Sequence, residues 1–201
     1  YYNLNVEDSI TSKYNTAYFN VKKNYIGYPE AGYTFQYINT NNINYPLTGK
    51  IYSLAIVKRG FGITGGIQML SVDADFNKYL PHEKNWYSIL QAHTKIKLPF
   101  SQPYYNQRAL GYDQLYLRGL ENYVIEGVAV FLAKYSLKKK IISFNIPVPI
   151  KNKIVTHIPI SLFAKTFADI GYSYNKAAFN TRLGNRFLYT GGFGIDILTL
   201  Y

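Results

Sequence analysis

The feature that most constrains the fold of this chain is a two-residue alternation from Ile158 to Tyr174. One set of alternate positions is mostly apolar or aromatic: Ile158, Ile160, Leu162, Ala164, Thr166, Ala168, Ile170, Tyr172 and Tyr174. The other set is mostly polar or small: Ser161, Phe163, Lys165, Phe167, Asp169, Gly171 and Ser173. Successive side chains of a strand point to opposite faces, whereas helical faces repeat every three or four residues. The segment is therefore predicted to be a strand with one apolar and one polar face.

Shorter alternating segments recur between clusters of Gly, Pro, Asn and Asp. The clearest are Leu70 to Phe76, whose polar face carries Asp73 and Asp75, and Trp86 to Leu98. The remaining predicted strands are Thr16–Lys22, Gly32–Ile38, Ile51–Lys58, Ile125–Leu137 and Arg186–Tyr201. No convincing helix, internal repeat or domain boundary is found, and the cluster Lys138-Lys139-Lys140 is assigned to a turn. The pattern predicts an all-β chain, an antiparallel up-and-down meander that forms one domain over residues 1–201.

The amino-acid composition favours strands and argues against one class of partner. The chain contains 22 Tyr and 12 Phe, which favour strands, and it has no Cys for a disulfide framework or thiolate chemistry. Its net charge of +11 would ordinarily raise nucleic acid as a partner. Because most of the cations are scattered singly, we interpret them as solvated groups, some beside lipid headgroups. No nucleic acid partner is predicted.

The lengths of the predicted strands favour a protein whose strands span a membrane. Soluble strands typically have about five or six residues and spanning strands about nine to eleven. Several predicted strands approach the longer class. Every backbone amide in lipid must be paired, so such strands imply a closed transmembrane β-barrel with an apolar exterior and a polar lumen. The aromatic residues that would lie near the membrane interfaces are Trp86, Tyr172, Tyr174, Tyr189 and Tyr201. A soluble β-sandwich is the alternative, since half-buried soluble strands alternate in the same way.

The residue types that carry catalysis do not form a recognisable set. His82, His93 and His157 lie in different predicted segments without metal-ligand spacing. Asp73 and Asp75 could in principle hold a cation, but a polar lumen opposite lysines is the favoured interpretation. The chain is therefore predicted to have no catalytic residues, no metal and no cofactor.

A long loop is predicted between the strands Trp86–Leu98 and Ile125–Leu137. From Tyr104 to Gly127, including Leu115-Tyr116-Leu117-Arg118-Gly119-Leu120, it resembles the sixth extracellular loop of the BamA-like bacterial surface antigen superfamily in its Bacteroidetes form. Segments that agree in order are Lys95 to Phe100, Phe167 to Gly171, and Tyr189 to Asp196. The resemblance implies the C-terminal barrel portion of such a protein, with about eight of sixteen strands covered. The periplasmic domains and the last two strands are expected to lie outside this chain.

The resemblance also implies a site. In that superfamily the loop arginine folds back into the lumen and pairs with acids on the twelfth and thirteenth strands. Carried over by position, Arg118 is that arginine and Asp169 is its thirteenth-strand partner, between the motif residues Phe167 and Gly171. The alternation places Asp169 on the polar face as well. The twelfth-strand acid would fall near Ser136, which is no carboxylate, so Glu126 is a second candidate partner.

Gly119 allows the chain after Arg118 to take a positive φ or to approach the barrel wall closely. We expect Arg118, Gly119 and Asp169 to form a pin that holds the loop in the lumen. The resemblance implies a factor that inserts or assembles other barrels in the outer membrane of a Gram-negative bacterium, without enzymatic turnover. Its partners would be unfolded outer-membrane protein clients, accessory assembly lipoproteins, outer-membrane lipid and lipopolysaccharide.

Three alternative functions remain. The first is a polypeptide translocation pore of the same superfamily, TamA-like or of the two-partner secretion type. The second is the membrane barrel of a patatin-type lipolytic fusion. The third is a soluble carbohydrate-binding β-protein.

Overall fold

The computed structural model describes residues 1–19, 23–62, 67–112, 114–147, 157–176 and 182–199. Its strands are β1 (Tyr2–Asn5), β2 (Tyr25–Tyr28), β3 (Glu30–Thr40), β4 (Gly49–Arg59), β5 (Met69–His82), β6 (Trp86–Leu98), β7 (Arg108–Leu110), β8 (Ile125–Glu126), β9 (Ala129–Pro147), β10 (His157–Tyr174) and β11 (Phe187–Leu198). The prediction of an all-β, antiparallel chain is confirmed.

Seven strands form one sheet in the order β3-β4-β5-β6-β9-β10-β11, and every neighbouring pair is antiparallel. The seven strands of this sheet therefore follow one another in chain order. The loop of residues 99–128, which contains β7 and β8, is inserted between β6 and β9. The pairs β1 with β2 and β7 with β8 form two small sheets. Strands β3 and β11 are the two edges, each paired on one side among the described residues.

The predicted bounds are closest where the alternation is cleanest. Strand β6 begins and ends where it was predicted, and β10 begins one residue earlier than predicted. The prediction of a strand at Thr16–Lys22 is wrong for residues 16–19, where the chain turns and buries Phe19; residues 20–22 lie outside the described residues. The predicted strand Ile125–Leu137 is interrupted at residues 127–128, because β8 pairs with β7 of the loop instead of joining β9.

Two further predictions require correction. Lys138-Lys139-Lys140 lies inside β9 and not in a turn, because β9 continues to Pro147. Short helical turns, which were not predicted, occur at Ile10–Tyr14, Glu83–Asn85 and Tyr104–Asn106. No helix in the described ranges is both long and apolar enough to cross a membrane.

The two faces of the sheet differ sharply in polarity. The face that we call the outer face is exposed, and cross-strand register aligns apolar and aromatic side chains along it. One such row contains Tyr33, Ile56, Val72, Ile96, Ala129 and Tyr174. A second row contains Phe35, Leu54, Ala74, Thr94, Phe131, Tyr172 and Phe187. The edge strand continues this pattern, since Phe193 is 91% exposed and Ile195 is 74% exposed.

The opposite face, which we call the inner face, differs from it by carrying carboxylates. It carries the carboxylates of the seven described strands: Glu30, Asp73, Asp75, Asp169 and Asp196. The loop of residues 99–128 packs against this face, and a buried cluster joins loop to wall: Ala109, Leu110, Leu117, Ile125, Val130, Leu132 and Leu188. A second cluster, formed by Phe19, Ile26, Tyr28, Ile67 and Met69, packs the N-terminal segment against Tyr105 of the loop.

Candidate functional site

The loop of residues 99–128 folds back onto the inner face, and a glycine, Gly111, shapes its turn. Gly111 has a φ of 84°, and a Cβ there would lie 2.0 Å from the carbonyl oxygen of Tyr123. The N–H of Gly111 also donates to the carbonyl of Leu115. Only glycine fits such a backbone conformation so close to another backbone segment. The turn at Gly111 directs the following segment, which includes Arg118, toward the wall.

Arg118 contacts Asp169 through both its backbone amide and its guanidinium group. Its backbone N–H donates to Asp169 Oδ2 at 2.9 Å, and its Nε donates to the same oxygen at 2.9 Å. The Nη2 group forms an ion pair with Asp169 Oδ1. A guanidinium that engages both oxygens of a carboxylate makes charge-assisted hydrogen bonds with defined geometry. The structure thus brings together the two residues that the resemblance predicts to meet.

Asp169 on β10 provides the buried end of this contact. Its side chain is 0% exposed, whereas the Arg118 side chain is 19% exposed. An isolated carboxylate is costly to bury, and a neighbouring cation with hydrogen-bond donors offsets that cost. Arg118 supplies the cation and, through its own backbone, an additional donor. One buried ion pair consequently joins the tip of the loop to strand β10.

The guanidinium also reaches the neighbouring strand β9. Nη1 donates to Ser136 Oγ at 2.6 Å, and Nη2 donates to the backbone carbonyl of Tyr135 at 3.0 Å. Ser136, the position at which the resemblance places the twelfth-strand partner, is therefore in contact with Arg118, with a hydroxyl in place of a carboxylate. Arg118 bridges β9 and β10 at the point where Ser136 and Phe167 are paired in register.

Phe167 and Gly171, the two predicted motif residues of β10, have distinct roles at the site. The Phe167 ring lies under the guanidinium, 4.2 Å from its carbon to the ring centroid, a cation–π distance. Gly171 leaves room for the loop, because a Cβ there would lie 2.7 Å from Leu117 Cδ1. Leu117 is 1% exposed, so it fills the space that a side chain at position 171 would occupy.

Gly119 adopts a φ of 89°, and a Cβ at this position would have no atom within 4 Å. Of the two roles expected for Gly119, positive φ applies and close approach to the wall does not. Backbone hydrogen bonds from Gly119 and from Glu121 itself lower the pKa of the exposed Glu121 carboxyl. The glycine therefore turns the chain sharply after Arg118 and directs the next residues back toward solvent.

Glu126, the second candidate partner, does not bind Arg118 in the described structure. Its carboxylate accepts a hydrogen bond from the Tyr104 hydroxyl, and its backbone carbonyl accepts one from Ser173 Oγ at 2.9 Å. The hydrogen bond to Glu126, with burial adding to it, raises the pKa of Tyr104 to about 12. The position of Glu126 in β8, paired with β7, keeps it at the base of the loop and away from the tip.

Asp73 and Asp75 lie on the inner face with His93 and Lys95. His93 Nδ1 is 2.7 Å from Asp75 Oδ1, Lys95 Nζ is 2.6 Å from Asp73 Oδ2, and Ser53 Oγ donates to Asp75 Oδ2 at 2.8 Å. Candidate ligand atoms of the two aspartates and His93 lie within 4.8 Å of one another. Lys95 already neutralises Asp73, and the separation of His93 from Asp75 is that of a direct hydrogen bond. This arrangement is an ion-paired network, as the prediction of acids facing lysines anticipates.

A further charged cluster, which was not predicted, surrounds Asp196 of β11. Asp196 pairs with Lys138 Nζ at 3.0 Å and with Lys165, and it accepts a hydrogen bond from the Tyr45 hydroxyl at 2.9 Å. Lys138 also lies 3.9 Å from the centroid of the Tyr45 ring. Burial and then the bond to Asp196 raise the pKa of Tyr45. The connection of residues 41–48 between β3 and β4 thus extends to the opposite edge strand, so the sheet is strongly curved.

Comparisons with known proteins give no match. No protein-family model matches this chain, and neither a curated protein nor a solved structure does.

Proposed function

We propose that this chain is part of an outer-membrane β-barrel of the BamA-like surface antigen superfamily, which inserts or assembles other barrels. The loop of residues 99–128 would be the lumenal loop of that barrel, and Arg118 would pin it to the wall at Asp169. The protein would act on unfolded outer-membrane protein clients, with accessory lipoproteins, in an outer membrane of phospholipid and lipopolysaccharide. Catalytic turnover forms no part of this proposal.

The observation that carries the proposal is the contact of Arg118 with Asp169. The two residues are separated by 51 positions in the chain, and the resemblance names both of them. In the structure they form a buried ion pair on the inner face, with Phe167 and Gly171 accommodating the loop. The pinned loop of the superfamily requires a contact of this kind between a loop arginine and an acid of the inner face.

The outer face supports a membrane location. Along β4 its side chains read Lys50, Tyr52, Leu54, Ile56 and Lys58, an apolar series with a lysine at each end. The eight residue-to-residue steps from Lys50 to Lys58 span about 27 Å, or about 20 Å across a bilayer when the strand is tilted by about 40°. A barrel exposes an apolar band of about 25 Å to lipid. Lysines at the ends of such a band can extend to the headgroups.

The carboxylates of the strands support the same location. All of those in the described sheet lie on the inner face, and Asp73, Asp169 and Asp196 each have a cationic partner there. This polarity is the reverse of that of a soluble sheet, which covers its apolar face and exposes its charges. A carboxylate on the outer face would have to be buried in hydrocarbon without a partner.

We infer that the seven-stranded sheet belongs to a larger closed barrel. The edges β3 and β11 would leave unpaired amides and carbonyls in lipid, where each unpaired group costs several kcal/mol. Closure would come from further strands, as in the sixteen-stranded barrel that the resemblance implies. An isolated sheet of this kind is expected to aggregate through its edges.

The pin has a structural role in this proposal. Arg118 contacts Ser136 and Tyr135 on β9 as well as Asp169 on β10, so one side chain joins the loop to two neighbouring strands. We expect this bridge to hold the loop inside the lumen and to fix the strands around it while clients are inserted elsewhere on the barrel. Loss of the pin would free the loop without removing the barrel from the membrane.

The test uses the full-length protein in a strain depleted of its own copy. Variants Arg118→Ala and Asp169→Asn are expected to reach the membrane but to support poor growth and slow client insertion, measured by heat-modifiability of client barrels. Asp73→Asn is the matched control, because Asp73 is an inner-face carboxylate paired with Lys95 and not with the loop. Full growth and insertion in both pin variants would refute the proposal. Normal client insertion with defective secretion of a passenger polypeptide would favour the translocation pore.

A further inference from the structure

Lys97 occupies an unusual position on the inner face of β6. It is 7% exposed, and it lies one residue before the end of the strand, where the loop of residues 99–128 begins. Its ammonium group donates to the backbone carbonyl of Asn106 at 2.5 Å and to that of Arg108 at 2.8 Å. Its backbone N–H donates to the carbonyl of Val128 at 2.8 Å. One residue therefore contacts both the first and the last part of the loop.

The acceptors of Lys97 distinguish it from the ion-paired cations on the inner face. Lys95 pairs with Asp73, and Lys165 pairs with Asp196. Lys97 takes part in no ion pair within the described ranges. A buried ammonium group is costly unless its hydrogen bonds are satisfied, and a carbonyl that loses a buried partner is costly too. The Lys97 side chain is therefore directed to the backbone of the loop.

A network of buried amides extends this anchor to β10. Gln107 Nε2 donates to the carbonyl of Gln102 at 2.7 Å, and Asn106 Nδ2 donates to Gln102 Oε1 at 3.2 Å. Asn175, which follows β10 directly, donates to Gln107 Oε1 at 3.0 Å. Gln102, Asn106 and Gln107 are each at least 96% buried. The base of the loop is thus attached to β6 through Lys97 and to the end of β10 through Asn175.

We propose that Lys97 is a positioning residue that fixes the base of the loop and thereby brings Arg118 within reach of Asp169. The inference rests on the proposed function, because it treats the pinned loop as the working element. Arg118 lies ten residues after Arg108, whose carbonyl Lys97 holds. A fixed base limits the volume in which that short segment moves, so less conformational entropy is lost when the tip binds. The loop is consequently held at two points, the base and the tip.

The test measures hydrogen exchange in the full-length protein embedded in lipid nanodiscs. The reporter is the Arg118 amide, whose hydrogen bond to Asp169 Oδ2 exists only when the tip is bound. Lys97→Met is expected to raise the exchange rate of this amide about tenfold or more, since both hydrogen bonds from the Lys97 side chain to the loop backbone are lost. Lys97→Arg, which keeps the charge and the donors, is expected to restore most of the protection. Lys95→Met, on the same face of the same strand, should leave the Arg118 amide protected.

Two outcomes would overturn the inference: unchanged protection at Arg118 in Lys97→Met, or an equal loss of protection in Lys95→Met. If Lys97→Met does not fold, Lys97→Gln is measured instead, with the same expectation and the same refutation. The failure of the proposed function is distinguishable. Were the loop freed in Lys97→Met while Asp169→Asn still inserted clients normally, the anchor would stand and the role of the pin in insertion would not.

Discussion

Replacing Asp169 with Asn should release the tip of the loop. The substitution keeps the shape of the side chain but removes the charge that receives the Arg118 amide, Nε and Nη2. Breaking a buried ion pair by changing one partner costs about 3–5 kcal/mol. We take about 3 kcal/mol here, the lower end of that range, because Arg118 is 19% exposed and keeps its bonds to Ser136 and Tyr135. The open state of the loop should then be populated roughly 100-fold more than in the natural protein.

Trypsin provides a direct assay, because it cleaves after arginine and Arg118 is itself the pinned residue. When opening and closing are fast, the rate of native-state proteolysis follows the population of the open form. Cleavage between Arg118 and Gly119, identified by fragment mass in the full-length protein in vesicles, should be roughly 100-fold faster in Asp169→Asn. Asp73→Asn should leave the rate at that bond unchanged. A rate in Asp169→Asn equal to that of the natural protein would refute the reasoning.

Three further substitutions probe the site and the outer face. Ser136→Ala removes one hydrogen bond from the guanidinium, a loss of about 1.5 kcal/mol, so cleavage after Arg118 should be roughly tenfold faster; an unchanged rate would show that this bond contributes nothing. Gly171→Val forces a side chain against Leu117, and overpacking of about 1–3 kcal/mol should also accelerate that cleavage. Phe76→Arg places a cation on the outer face and should lower the free energy of unfolding in lipid vesicles by about 2–4 kcal/mol, measured by urea titration. The neighbouring Asn77→Arg, on the inner face, should cost clearly less, and equal losses would contradict a lipid-facing surface.

The strands and their faces could be predicted because the period of two is a local property of the chain. In β10 the alternation alone places Asp169 on the inner face, and in β6 it gives both ends of the strand. The sequence predicts a turn at Lys138 because three consecutive lysines are typical of a solvated segment. Its partner Asp196 comes from a different strand, and the register that joins β9, β10 and β11 cannot be read from either segment alone.

The site was predictable only in part for a related reason. The resemblance implies the contact of Arg118 with Asp169. The hydrogen bond that Arg118 Nη1 donates to Ser136 Oγ depends on how closely the loop approaches the inner face. Glu126 is a candidate partner in the sequence because it is an acid close to the start of the strand that carries Ser136. Pairing of β8 with β7 holds it at the loop base, a long-range effect that composition does not reveal. Lys97 gave no signal either, since its acceptors are backbone carbonyls.

The central claim is tested most directly by client folding in reconstituted vesicles. The full-length protein is incorporated into lipid vesicles, an unfolded outer-membrane protein is added, and the rate at which it becomes heat-modifiable is measured against empty vesicles. We predict faster folding with the natural protein and with Asp73→Asn, and a rate close to that of empty vesicles with Asp169→Asn. Equal rates in empty vesicles and in vesicles that contain the natural protein would contradict the assignment of this chain to a barrel that inserts other barrels.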